Sequence, residues 1–145
     1  MVTEVVHKMS AGETFATTPA DFAFFKKRCR YYLERFGLMD WAVSIVHVSL
    51  ETNTAAECQR DFIKRWGVIR LNKTVTWPVT RESLDRTAMH ECAHLLLAPF
   101  SGLIAEMHDG KLVTMEQAES AEEAIVRTLE SFVFNGPINS IAVEV

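Results

Sequence analysis

The chain has 145 residues, of which 48% are hydrophobic and 23% are charged, and its formal net charge is −4. This length suits one domain with a hydrophobic core of its own, and the acidic balance argues against a nucleic-acid partner. Three widely spaced cysteines without a CxxC pair argue against a disulfide framework and against a cysteine-only zinc site. Because neither a signal peptide nor a bilayer-spanning apolar stretch is visible, we expect a cytoplasmic protein without a membrane partner.

The first half of the chain predicts a loose arm, one helix and several strands. Residues 1–18 are weakly patterned and predict a loosely structured N-terminal arm. From Pro19 onward apolar residues recur at helical spacing, and Gly37 is the expected end of that helix. The segment 41–50 alternates like a strand, and the segment 58–72 predicts one or two further strands.

The second half of the chain predicts two more helices. The first runs from about Thr80, a candidate N-cap, to Ala98, and it ends because Pro99 cannot continue it. Residues 99–113 contain two glycines and predict an irregular connection. A further helix is predicted over residues 115–134 from its apolar periodicity.

This order of elements, a helix followed by strands and then two helices, predicts a single α+β domain. We place the domain at residues 19–136, after the N-terminal arm at 1–18. The C-terminal tail, 137–145, is expected to be a short strand or to lack regular structure. The sheet of this domain is expected to be small, with two to four strands.

The segment TAMHECAHLLLAP, residues 87–99, places three ionisable side chains in an apolar helix. His90 and His94 are four residues apart, so they share one face of the helix, and two imidazoles at this spacing can reach one tetrahedral zinc ion at about 2.0–2.1 Å. Glu91 is rotated away from ligation and is placed to take a proton from water at the ion, as in the HExxH motif. The alternative is a pair of core histidines without a metal.

A catalytic zinc site usually has a third protein ligand, and the sequence leaves more than one candidate. Glu122 falls inside the apolar face of the last predicted helix, where a carboxylate needs a reason such as ligation. Glu123 would replace it if the start of that helix were kinked. His108, in the predicted connection, would have to swing over the site. The long metzincin pattern is excluded, because Phe100 stands where its third histidine belongs.

The stretch HECAHLLLAP, followed further along by EEAIVRTLE, resembles the small zinc metallopeptidases of bacteriophage and prophage genomes. These are minimal zincins related to the SprT-like and ImmA/IrrE-like proteins, and the resemblance covers about residues 20–135. It implies a zincin-like fold with an N-terminal helix, a small sheet, an HExxH helix and a glutamate-bearing helix. A phage origin would place the protein in the cytoplasm of the bacterial host.

The same resemblance implies a zinc ion held by His90, His94 and Glu122, with Glu91 as the catalytic residue. The chain departs from the SprT-like pattern at His108, which is not followed directly by glycine. That departure weakens the likeness to the SprT-like branch and leaves the two histidines of the motif unaffected.

The sequence therefore predicts a zinc-dependent metallopeptidase that hydrolyses peptide bonds in a protein or peptide substrate. Glu91 would activate the zinc-bound water, and a strand at the sheet edge, such as GVIRLN, would pair with the extended substrate. Arg127 and His108 are the candidates for stabilising the oxyanion.

Two other functions remain open at this point. One is a regulatory or binding module that keeps the zinc fold with weak turnover, which the small size of the chain favours. The other is a metal-dependent ribonuclease, which the acidic net charge and the glutamate between the histidines argue against. The sequence does not determine the oligomeric state.

Overall fold

A computed structural model of the protein describes residues 12–51 and 53–135, with side chains described as far as residue 129. The predicted C-terminal tail, 137–145, and most of the predicted N-terminal arm lie outside these residues.

The described residues form four helices and five strands, which confirms the α+β class. The strands are β1 (Phe15–Ala16), β2 (Ala42–Val48), β3 (Ala56–Asp61), β4 (Trp66–Asn72) and β5 (Thr74–Val75). The helices are α1 (Pro19–Arg35), α2 (Arg81–Leu96), α3 (Ala98–His108) and α4 (Met115–Asn135). Of the described helices, none is long and apolar enough to cross a lipid bilayer.

Strand β4 is the centre of a three-stranded sheet. It runs parallel to β2 on one side and antiparallel to β3 on the other. Alternate residues of β4, namely Gly67, Ile69 and Leu71, are buried on one face of the sheet, which is the period of two expected of a half-buried strand. The segment 58–72, for which one or two strands were predicted, thus contributes to two strands joined by a turn.

The segment GVIRLN is not at the sheet edge, so the prediction that it pairs with substrate is wrong. It belongs to β4, and both of its sides are hydrogen-bonded within the sheet. The strands with a free side in the described sheet are β2 and β3, and β3 packs against α2. Which strand lies at the edge depends on how distant segments pair, and the local pattern of apolar residues carries no information about that pairing.

Helix α2 is fixed at its start and along its side. Thr80 is its N-cap, as predicted, and it forms a capping box with Ser83, since each side chain accepts a hydrogen bond from the other residue's backbone N–H. Further along, Asp85 accepts hydrogen bonds from Nε of Arg28 at 2.6 Å and from the hydroxyl of Tyr32 at 3.0 Å. These bonds hold α2 against α1, and the buried apolar residues of both helices join the core beneath them.

Residues 98–108 form helix α3, so the prediction of an irregular connection over residues 99–113 is wrong for most of its length. Helix α2 ends at Leu96, and Pro99 lies in the first turn of the next helix. Proline is well suited to that position, because the first turn needs no backbone N–H from it and uses its fixed φ. The irregular part shrinks to the short segment before α4.

The end of the predicted loose arm is attached to the domain. Phe15 pairs with Val75 in an antiparallel two-stranded ladder. The hydroxyl of the buried Thr17 donates to the carbonyl oxygen of Asn72 at 2.7 Å, and the hydroxyl oxygen of Thr17 also lies 2.7 Å from Nε2 of His47. His47 therefore has a structural role on a face of β2.

Gly67 lets α2 approach the sheet closely, and we expect Gly67→Ala to destabilise the protein. An added Cβ would lie 3.2 Å from Cδ2 of Leu95 and 3.4 Å from the carbonyl oxygen of Gln59. Overpacking of this kind costs about 1–3 kcal/mol of unfolding free energy, measurable by urea denaturation. Gly102→Ala is the control, because its Cβ would meet Phe62 at a comfortable 3.9 Å. Equal stability of the Gly67→Ala variant and the wild type would show that Leu95 yields freely.

Candidate metal and catalytic site

His90 and His94 lie together on α2. Their ring centroids are 5.0 Å apart and the rings are nearly perpendicular, at 83°. His90 is exposed and His94 is half-buried. The pair therefore faces one side of the helix and is open to solvent, which is the arrangement that the four-residue spacing predicted.

Glu91 is a buried carboxylate, with 5% of its surface exposed. Burial raises the pKa of its carboxyl, while the charges of His90 and Arg60 act in the opposite direction. Within the described residues, the carboxylate is held by no side-chain hydrogen bond. A carboxylate with a raised pKa and a free oxygen is a better proton acceptor, which is the property that a general base needs.

The pKa of the His94 imidazole is lowered, first by burial and then by the charges of Arg60 and His90. A lowered pKa favours the neutral imidazole at pH 7. The neutral form is the one that binds metal ions, because a protonated ring nitrogen has no lone pair to offer.

A cleft of about 870 Å³ runs along α2 toward the histidines. His90 and Glu91 are the last residues of α2 that line it, and the opposite wall includes Ala56 at the start of β3. Trp77 and Pro78 add an apolar surface. The cleft is large enough for several residues of an extended peptide, and it lies between the HExxH helix and the segment that leads into β3.

Strand β3 has one edge that pairs with no other described strand, and its first residue, Ala56, lines the cleft. The N–H of Asn72 donates to the carbonyl oxygen of Ala55 at 2.9 Å. Hydrogen-bonded pairs alternate along an antiparallel ladder, so the backbone N–H and C=O groups of Ala56, Cys58 and Arg60 point away from β4. Such an edge can accept an added strand.

Glu122 is exposed on α4, whereas the helical wheel placed it inside the apolar face. The buried positions of the helix are Ala121 and Ile125, so the buried face is narrower than the wheel suggested and Glu122 lies at its edge. Helix α4 packs mainly on α3 and α1. The structure therefore brings His90 and His94 together, but it does not bring Glu122 to them.

The other two third-ligand candidates are also exposed. Glu123 accepts a hydrogen bond from Nε of Arg127 at 3.2 Å. At the end of α3, Nδ1 of His108 lies 3.5 Å from Oδ1 of Asp109. Across residues 12–51 and 53–135, no three side chains of His, Cys, Asp or Glu are grouped so that they could hold one ion.

Arg60 is a residue near the site that the sequence reasoning did not single out. Its charge lowers the pKa of both Glu91 and His94, whereas Arg127, one of the predicted oxyanion candidates, is exposed and bonded to its own helix. The available signal was the strand alternation, which places Arg60 on the same face as Cys58. That signal becomes readable only after β3 is known to lie beside α2.

Comparisons of the chain with protein-family models, with curated proteins and with solved structures found no match. The function is therefore argued from the geometry of α2 and β3.

Proposed function

We propose that the protein is a zinc-dependent peptidase that hydrolyses peptide bonds in a protein or peptide substrate. The observation that supports this most is the juxtaposition on α2 of two solvent-accessible imidazoles and a buried carboxylate that has no hydrogen-bond partner among residues 12–51 and 53–135. The cleft and the free edge of β3 add a place for an extended chain next to these groups.

The residues of α2 suit a zinc ion in part. His90 and His94 would supply two ligands, and the lowered pKa of His94 keeps that imidazole in its ligating form. Glu122 is proposed as the third ligand on the likeness to minimal zincins alone, since it is exposed on α4. When bound, zinc would lower the pKa of water and polarise the scissile carbonyl.

The chain's own groups account for the remaining steps. Glu91 takes a proton from the attacking water and later returns it to the leaving amine nitrogen. The backbone groups of Ala56, Cys58 and Arg60 hold the substrate in an extended conformation by adding it to the sheet. Pairing of this kind selects for unfolded or flexible segments, because the backbone groups of a helix, or of a strand inside a sheet, are already hydrogen-bonded.

Zinc binding tests the first part of this proposal. We expect about one zinc ion per chain, and we expect His90→Ala and His94→Ala to weaken zinc binding by at least about 100-fold, since even residues behind the ligands contribute 10–100-fold. Competition with a chelating dye measures the affinity, and elemental analysis measures the stoichiometry.

The same titration separates the third-ligand candidates. Glu122→Gln should weaken zinc binding, while His108→Ala should leave it unchanged. The reverse result would assign the third position to His108. If the wild type binds no zinc, or if zinc-loaded protein leaves unfolded casein intact, the peptidase proposal fails.

The exposed position of Glu122 also favours a second candidate function. A site with two protein ligands and no third one would hold zinc weakly, and the protein would then act as a binding module with little turnover. Zinc binding and peptide binding without cleavage would identify this second function.

A further inference from the structure

The side chain of Arg60 lies on the face of β3 that is turned toward α2. It projects from the same face as Cys58, which packs against the core. Arg60 is paired with Gly67 across the ladder, and Leu95 of α2 packs directly on Gly67. Arg60 therefore lies level with Leu95, which follows His94 in the sequence and is one helical turn beyond the proposed base, Glu91.

The guanidinium of Arg60 is incompletely paired. Its Nη1 donates to the carbonyl oxygen of Cys58 at 3.3 Å, a long hydrogen bond, and its Nε is buried without a partner among the described residues. The carbonyl group of Cys58 belongs to the free edge of β3, so the arginine occupies an acceptor that an added strand would use. A buried donor without an acceptor is unfavourable, which indicates that a partner is missing.

The charges around Arg60 leave it available to an anion. The two acidic side chains of its own strand, Glu57 and Asp61, are turned to the opposite face. Glu57 is bonded to Nη1 of Arg70 at 3.1 Å, and Asp61 accepts the backbone N–H of Lys64 at 3.0 Å. On α2, the positive charge of Arg60 acts on Glu91 and His94 and lowers the pKa of both side chains. None of the described carboxylates forms an ion pair with Arg60 itself.

We propose that Arg60 is the catalytic residue that stabilises the oxyanion, and that the substrate itself releases it for this task. The inference rests on the proposed peptidase function. When an extended substrate pairs with β3, a substrate N–H replaces Nη1 of Arg60 on the carbonyl oxygen of Cys58. Release of Nη1 lets the guanidinium turn, and Nε and Nη2, whose N–H groups point to the same side, then donate to the carbonyl oxygen of the scissile bond.

The chemical step balances without any further reactant. Water adds to the carbonyl carbon, one of its protons passes to Glu91, and the carbonyl electron pair moves onto the oxygen that Arg60 holds. When the C–N bond breaks, the proton on Glu91 goes to the amine and the C=O bond forms again. The negative charge that Arg60 stabilises is present only in the intermediate and not in the bound substrate. Arg60 is therefore expected to raise kcat more than it increases the affinity for the substrate.

Kinetics of zinc-loaded protein provide the first measurement. With a fluorogenic peptide that the wild type cleaves, Arg60→Gln should lower kcat by about 100–1000-fold, which is the loss expected for one oxyanion donor, while KM changes less than about threefold. Arg60→Lys, which keeps the charge, should recover part of the rate. Arg70→Gln is the matched control, because Arg70 lies on the opposite face of the same sheet. A kcat of Arg60→Gln within threefold of the wild type would overturn the proposal.

Binding to metal-free protein provides a second measurement that does not need turnover. A phosphinic tetrapeptide carries the negative charge of the intermediate, and the amide peptide of the same sequence does not. Calorimetry should show that Arg60→Gln binds the phosphinic peptide at least about 10-fold more weakly and the amide peptide unchanged. Equal losses for both peptides would assign Arg60 a merely structural role and contradict the proposal.

The two measurements separate the possible failures. If the wild type cleaves no peptide but Arg60→Gln selectively loses the phosphinic peptide, the peptidase function fails and the anion site at Arg60 stands. If peptides are cleaved and Arg60→Gln has normal kcat, the peptidase function stands and this role of Arg60 is refuted.

Discussion

Glu91→Gln is expected to reduce peptide hydrolysis by about 10²–10⁴-fold, the usual contribution of general acid–base catalysis, while zinc remains bound. Glutamine keeps the size and polarity of the side chain but cannot take the proton of the attacking water. The measurement is turnover of a fluorogenic peptide by zinc-loaded variant and wild type, with the zinc content of both determined by elemental analysis.

The same substitution has a predictable effect on stability. Burial raises the pKa of Glu91, so the folded protein binds this proton more tightly than the unfolded chain, where the pKa is roughly 4.3. The contribution of Glu91 to stability is therefore complete below the unfolded pKa and is lost as the pH rises through the folded pKa. Metal-free Glu91→Gln should be more stable than the wild type at pH 7, and the difference should shrink in acid.

Glu82→Gln is the control for the activity loss. Glu82 lines the same cleft, is exposed and is bonded only to Arg86 at 3.3 Å, so its neutralisation should leave turnover nearly unchanged. Undiminished hydrolysis by the Glu91→Gln variant would remove Glu91 from the mechanism. Loss of zinc from that variant would instead make Glu91 a ligand.

The parts of the fold that depend on local sequence could be predicted. Helix α1 and the start of α2 follow from apolar periodicity and from the cap at Thr80, which act within a few residues. Helix α3 was missed because a proline that ends one helix and a proline in the first turn of the next leave the same local pattern. Only the continuing helical backbone beyond Pro99 distinguishes the two possibilities.

In the candidate site, too, the parts set by local sequence could be predicted and the parts set by long-range pairing could not. His90, Glu91 and His94 are positioned by the pitch of a single helix, so their relation could be predicted from spacing alone. The edge position of β3 and the placement of Arg60 depend on how distant segments pair, since β4 contacts β2 and β3 through the long-range ladder. The helical wheel of α4 marked the apolar positions but not the width of the buried face, which is set by the neighbouring helices.

Asn72 organises the loop that leads into β3. It is 1% exposed and lies at the end of β4. Its Oδ1 accepts hydrogen bonds from the N–H groups of Leu50 at 2.9 Å and Thr74 at 3.2 Å. Its Nδ2 donates to the carbonyl oxygens of Glu51 at 2.9 Å and Thr54 at 2.7 Å. One buried amide thus fixes the chain on the way to the cleft wall.

Asn72→Asp should therefore be strongly destabilising. A carboxylate of the same shape cannot donate, so two carbonyl oxygens lose their partner at about 1–3 kcal/mol each, and a buried charge is added. We expect the unfolding free energy at pH 7 to fall by about 2–6 kcal/mol, measured by urea denaturation. This loss is comparable with the whole stability of a small domain, which is about 5–15 kcal/mol.

Asn53→Asp tests whether the effect comes from burial of the amide. Asn53 lines the cleft but is exposed, so the same chemical change should alter stability by less than about 0.5 kcal/mol. Where enough Asn72→Asp protein stays folded, at low temperature and at a pH low enough to protonate the buried carboxyl, its affinity for the amide peptide should also fall, because the entry to β3 is no longer held. If the Asn72→Asp variant is as stable as the wild type, water replaces both hydrogen bonds donated by Nδ2. The conformation of the loop would then be fixed by the ladder between β3 and β4.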